Sequence, residues 1–190
     1  MRGGRWRVWC TAGILAASVT MSTRAWPTRS DLSDSVTIHI LKARHQLRLQ
    51  QGEQVLHECP VALGKDPTAG KLLRGDGRTP EGRYYICEKR PQSRFHRFLG
   101  ISYPNIDDAE RAYSDHLISA DEWADIFFAN LQHGTPPWST ALGGRVGIHG
   151  YGGRPNLPID WTEGCIAVSD AEIDYLYETV PLGTPVIIED

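Results

Sequence analysis

Cysteine is scarce in this sequence: Cys10, Cys59, Cys87 and Cys165 are the four in 190 residues. No Cys-x-x-Cys pair, no His-Glu-x-x-His and no phosphate-loop glycine pattern occurs, so no local zinc or phosphate cradle is written into the chain. His39, His45, His57 and His116 also lack metal-ligand spacing, and no metal is expected. No uncharged apolar run reaches the about 20 residues that a bilayer span takes. There is no internal repeat and no low-complexity tract. Basic charge is thin as well. Four of the 20 Lys and Arg residues (Arg2, Arg5, Arg7 and Arg24) lie in the first 25 positions, leaving 16 against 23 acids. So acidic a remainder does not suit nucleic acid, which needs clustered cations. With 41% hydrophobic and 23% charged residues, the composition excludes disordered, collagen-like and multi-span membrane chains.

What is present begins with an export pattern. Met1 to Arg7 carries three arginines, Val8 to Thr20 is apolar and uncharged, and small residues surround Ala25. This reads as a secretory signal peptide over 1–25, with an uncleaved anchor as the alternative. Cys10 follows Val8-Trp9 with no small-residue lipidation site before it. The mature chain then starts near Trp26, with a polar lead-in over 26–35 and one domain over 36–190. Three cysteines remain, an odd count for an exported protein. Cys59 and Cys87 either pair or stay reduced and buried, since sequence does not carry the distance a disulfide demands.

The domain reads as mainly β with α. Val36, Ile38 and Ile40 alternate with polar residues, Leu47-Arg48-Leu49 continues the pattern, and Gln51-Gly52-Glu53 marks a hairpin. Val55–Leu63 and Arg83–Cys87 are further strands, and residues 71–82 are loop. A helical insert is expected over Asp107–His133. Its clearest part runs from about Ala120 to Leu131, opened by a capping box of Ser119 and Glu122. It either covers a sheet face or forms a lid. Ser169 with Glu172 opens a C-terminal helix carrying Ile173, Leu176 and Tyr177 on one face, and Val186-Ile187-Ile188 closes the chain as a buried strand.

Two segments carry chemistry: Gly147-Ile148-His149-Gly150 and Trp161-Thr162-Glu163-Gly164-Cys165-Ile166-Ala167. A thiol nucleophile needs a base, because it is only partly ionised at neutral pH. His149 precedes Cys165 by 16 residues across a Gly- and Pro-rich loop able to lay two strand ends side by side. A backbone carbonyl can orient the imidazole in place of an acid. Gly164 permits a tight turn and can free amides near Cys165 for an oxyanion.

These segments resemble the L,D-transpeptidase catalytic domain (YkuD-type) of bacterial cell-wall enzymes. That family carries His-Gly and then Ser/Thr-x-Gly-Cys some sixteen residues on, here His149-Gly150 and Thr162-Glu163-Gly164-Cys165. The run Gly75-Asp76-Gly77-Arg78-Thr79-Pro80-Glu81-Gly82 is also similar, as are Ser93, Phe95-His96, Ile101-Ser102-Tyr103-Pro104-Asn105 and Leu142-Gly143-Gly144. The likeness covers roughly Thr37 to Glu189. It implies an L,D-transpeptidase-like β-sandwich without cofactor, working on peptidoglycan stem peptides in the periplasm or cell envelope. It implies Cys165 as nucleophile, His149 as base and the Gly150 carbonyl as its orienter. The acyl group would pass to a protein or peptide amine, or to water in a carboxypeptidase or amidase. Trp161, Thr162, Tyr151 and His96 are the candidate substrate contacts. Trp138 and Trp161 flank the active segments and either pack in the core or line a pocket.

Two departures bear on mechanism. Many members have His where this chain has Glu163, a like charge that disfavours a thiolate. Many have Arg where this chain has Ala167, removing a bidentate carboxylate partner. A catalytically silent peptidoglycan-binding protein is the reading from another class. A sortase needs an Arg after its cysteine, and none lies between Cys165 and Asp190. A papain-like protease places Cys before His.

Overall fold

In the computed structural model, residues 36–154 and 159–190 are described; the signal and lead-in expectations fall outside them. Eight strands form one sheet in the order β3-β2-β1-β8-β4-β5-β6-β7. They are β1 (Val36–Leu41), β2 (Gln46–Gln51), β3 (Gln54–Pro60), β4 (Gly82–Ser93), β5 (His96–Ile101), β6 (Gly147–His149), β7 (Ile166–Ala167) and β8 (Pro185–Glu189). The first three make an antiparallel meander whose second turn holds Gly52 at φ +58°, where a left-handed residue is required. β8 returns to the sheet centre, parallel to β1 and antiparallel to β4.

Alternation sets which side is inside. Ile38, Ile40, Leu47, Leu49, Ile86, Leu99, Ile101, Val186 and Ile188 are all buried and meet in one core. Strands from both halves of the sheet contribute, so its inward faces enclose a shared interior, consistent with the sandwich expected. Burial of this apolar surface is the main stabilising term.

Three helices complete the chain: α1 (Ile106–Ser114), α2 (Ala120–Leu131) and α3 (Asp170–Thr179). The Ser119–Glu122 box caps α2 as expected. α1 is capped by Asn105 and Asp108 in the same reciprocal way, a variant pair that a Ser/Thr–Glu search passes over. α1 and α2 bury Ala109, Ala112, Ile118 and Ile126 against Leu142, with Trp123 packed alongside. At α3 only half of the expected box is made. Ser169 accepts from the Glu172 backbone, but the Glu172 carboxylate reaches His57 on β3 instead of turning back. Cys59, Cys87 and Cys165 are each free thiols, which resolves the open pairing.

Candidate active site

β6 and β7 pair in parallel, setting Ile148 beside Ile166 and His149 beside Ala167. The connection between them therefore brings His149 and Cys165 to neighbouring strand ends, as the spacing allows. His149 is 3% exposed. Its Nδ1 lies 2.7 Å from the Gly150 carbonyl. A carbonyl only accepts, so Nδ1 holds the proton and Nε2 keeps its lone pair. Phe95 stacks on the imidazole at 4.7 Å and Trp161 meets it edge-on at 5.8 Å. Burial lowers His149 from its ordinary value; the Gly150 carbonyl opposes that shift and the Arg154 cation adds to it.

Cys165 is half-buried and lines a cleft of about 180 Å³ together with His149, Phe95, Phe98, Arg90, Arg94 and Arg145. Its thiol donates to the Arg145 carbonyl at 3.6 Å. Burial pushes the thiol up to about 11, while a Gly147 backbone hydrogen bond and the Lys71 cation pull the other way. Both members of the pair thus rest in neutral form at neutral pH.

The turn before Cys165 is built by Thr162. Its hydroxyl donates to the Cys165 carbonyl at 2.6 Å and accepts from the Gly164 amide at 3.1 Å. Two expectations change here. The Gly164 amide is engaged inside the turn rather than turned toward an oxyanion, and Thr162, 4% exposed, spends its hydroxyl on backbone rather than substrate. Gly164 is needed for its backbone. It sits at φ +125°, and a Cβ would lie 2.5 Å from the Arg78 carbonyl. Gly150 has a second role too, since a Cβ there would come within 2.3 Å of Asp170 Oδ1.

The other candidates divide. Trp161 borders His149. Tyr151 is 6% exposed and packs with Ala62 and Ala167, so it supports the site from beneath rather than facing the cleft. His96 pairs with Asp174 on α3 at 2.8 Å, and it is Phe95, not His96, that lines the cleft. Glu163 is exposed and pairs with Lys65 at the surface. Trp138 lines an adjacent cavity of about 550 Å³ that shares Arg145 with the cleft.

Three residues escaped sequence reasoning. Asp170 accepts from Gly152 and Gly153 at 2.8 and 2.9 Å and so clamps the loop after His149. Lys71 is held by Asp76 at 2.7 Å beneath the nucleophile turn, and Asp76 also organises the Gly75–Gly82 run by accepting from Leu72, Leu73 and Arg78. Arg145, at φ +55°, turns its carbonyl to Cys165. None stands in a motif with His149 or Cys165, so no local signal marks them. Away from the cleft, His57, Cys59 and Glu172 place their donor atoms within 4.8 Å of one another, a set able to hold a metal ion. Its third member lies 113 residues beyond Cys59, which is why local spacing hid it.

Comparison with known proteins identifies the fold and the family. Solved structures share the fold at low identity. The helical cell shape determining protein Pgp2 from Campylobacter jejuni is 20% identical with a TM-score of 0.56, over 82% of this chain and 48% of that one. Bdellovibrio bacteriovorus Bd1075 is 21% identical with a TM-score of 0.54, over 85% and 49%. A mutant Enterococcus faecium L,D-transpeptidase is 15% identical with a TM-score of 0.51, over 84% and 51%. This chain therefore spans about half the length of those three. No curated protein matches the sequence closely enough to count. The model of the YkuD family, the L,D-transpeptidase catalytic domain, matches residues 35–188, and this chain belongs to that family.

Proposed function

We propose that the protein is an exported cysteine L,D-transpeptidase acting on peptidoglycan stem peptides. The observation that carries this reading is the 2.7 Å His149–Gly150 clamp beside a cleft that Cys165 also lines. In this mechanism His149 Nε2 takes the thiol proton as Cys165 Sγ attacks the carbonyl carbon of an L,D-peptide bond. The tetrahedral intermediate collapses, its C–N bond breaks, and His149 returns the proton to the leaving amine. An acceptor amine then attacks the thioester and gives its proton to His149; the C–S bond breaks and the thiol is restored. Water in place of the amine gives carboxypeptidase activity.

With the Gly164 amide committed to Thr162, the oxyanion contact falls to the Cys165 amide. Trp161 and Phe95 hold the imidazole plane. Arg90, Arg94 and Arg145 supply the cation that Ala167 lacks, and they suit the carboxylates of a stem peptide. The two cavities that meet at Arg145 offer separate places for donor and acceptor chains. Export to the periplasm rests on the pattern of residues 1–25. Among the described residues no helix is long and apolar enough to cross a membrane. Cell-shape control, named for the Campylobacter neighbour, is the accompanying role.

Mass spectrometry of the protein with disaccharide-tetrapeptide muropeptides tests this, with Cys165→Ala alongside. A cross-linked dimer from the cysteine form alone is expected. Loss of the terminal residue without dimer moves the reading to a carboxypeptidase. Neither product, with no acylation of Cys165 by a carbapenem, leaves a silent binding protein.

A further inference from the structure

The edge of the sheet carries a second cluster. His57 and Cys59 lie two residues apart on β3 and so share one face. Opposite them stands Glu172 in the first turn of α3. The His57 Nε2 to Glu172 Oε2 distance is 2.5 Å, and all three donor atoms fall within 4.8 Å. Tetrahedral zinc with its usual bond lengths separates its donors by about 3.4–3.7 Å. Small side-chain movements reach that arrangement from here.

We propose that His57, Cys59 and Glu172 form a divalent transition-metal site, filled by zinc, that fastens edge strand β3 to the helix following the nucleophile. One imidazole, one thiolate and one carboxylate are the donor types that zinc accepts, and three protein donors leave its fourth position open. Binding displaces the Cys59 proton; the Nε2 proton that His57 gives to Glu172 in the metal-free state moves to Nδ1, and Nε2 then offers its lone pair to the metal. Thiolate and carboxylate then balance the dication, so a half-buried site ends neutral.

Several features hold these donors ready. Tyr175 packs against the His57 ring at 4.5 Å. Ser169 caps the turn that presents Glu172, and the Glu172 carboxylate has left its capping-box position to reach β3. Burial first, and then the negative charges of Glu172 and Glu58, push the Cys59 thiol up to about 12. Those charges disfavour a bare thiolate but attract a dication. The turn also contains Asp170, which clamps the loop after His149, so the metal would brace the base of the catalytic loop.

Zinc chloride titrated into metal-free full-length protein, against a chromogenic chelator, is the test. Cobalt(II) serves as a spectroscopic probe, because a thiolate ligand gives it a near-ultraviolet charge-transfer band. One zinc per chain is expected, with the cobalt band present in wild type and in Cys165→Ala. Cys59→Ala should abolish the band. Glu172→Gln and His57→Gln, both at half-buried positions, should weaken zinc at least about 10- to 100-fold, the loss seen even when an outer partner of a metal ligand is removed. Added zinc should raise the melting temperature of wild type but not of Glu172→Gln. Absence of stoichiometric binding overturns the site. So does binding that survives Cys59→Ala or disappears with Cys165→Ala, which would place the metal at the catalytic thiol.

Discussion

Burial raises the Cys165 thiol, and the Lys71 cation offsets only part of that rise. The resting pair is therefore a thiol beside a neutral imidazole, and in the proposed mechanism the proton moves to His149 only as substrate is attacked. Alkylation of Cys165 by iodoacetamide, followed by mass spectrometry, should keep accelerating as pH climbs toward about 11. A plateau near neutral pH would mean a preformed thiolate–imidazolium pair instead. Gly164 gives a second test at this scale. Alanine there meets both a left-handed backbone and the Arg78 carbonyl. Gly164→Ala should cost about 1–3 kcal/mol in urea unfolding and remove most acylation of Cys165, because the displaced turn carries the proposed nucleophile.

The helices α1 and α2 form an insert with its own small core, and none of their residues is among those lining the Cys165 cleft. We read the insert as a cover on the body rather than a lid. Ser119→Ala removes the α2 cap and should cost about 1 kcal/mol by denaturant melt while turnover of muropeptides stays unchanged. A matching fall in turnover would return the insert to a gating role. α3 behaves differently. Its first turn supplies Asp170 to the loop after His149 and Glu172 to β3, so it couples the catalytic strand ends to the sheet edge.

Over the whole molecule, buried ionisable groups set the acid limit of stability. His149 is lowered by burial, so its contribution is complete above about pH 6.5 and is lost as pH falls through its lower folded value. Asp76 and Asp170 are opposed by burial yet held low by hydrogen bonds from Leu73 and Gly152 among others. Their contribution is present above about pH 4 and is lost below it. Asp108, raised by burial, runs the other way, and its contribution fades as pH rises through its folded value. Urea midpoints should therefore fall in two stages on acidification, one below about pH 6.5 and one below about pH 4. Asp170→Asn should shrink the second stage and His149→Gln the first.

Much of the fold follows from local pattern. Alternation in β1 and β2, the Gly52 hairpin, the Ser119 cap and the apolar β8 are all decided by residues within a turn or strand of one another. The proposed catalytic pair is legible for the same reason: His149-Gly150 and Gly164-Cys165 each stand in a short run of adjacent residues. What the fold decided lies across long separations. The commitment of the Gly164 amide to Thr162, the burial of Tyr151, the partnership of His96 with Asp174 and the Asp170 clamp depend on which strand ends meet. The meeting of His57, Cys59 and Glu172 is of the same kind. A sequence specifies side-chain chemistry and short-range backbone preference, whereas distance between remote residues arises only when burial of the shared core brings β3, β6, β7 and α3 together.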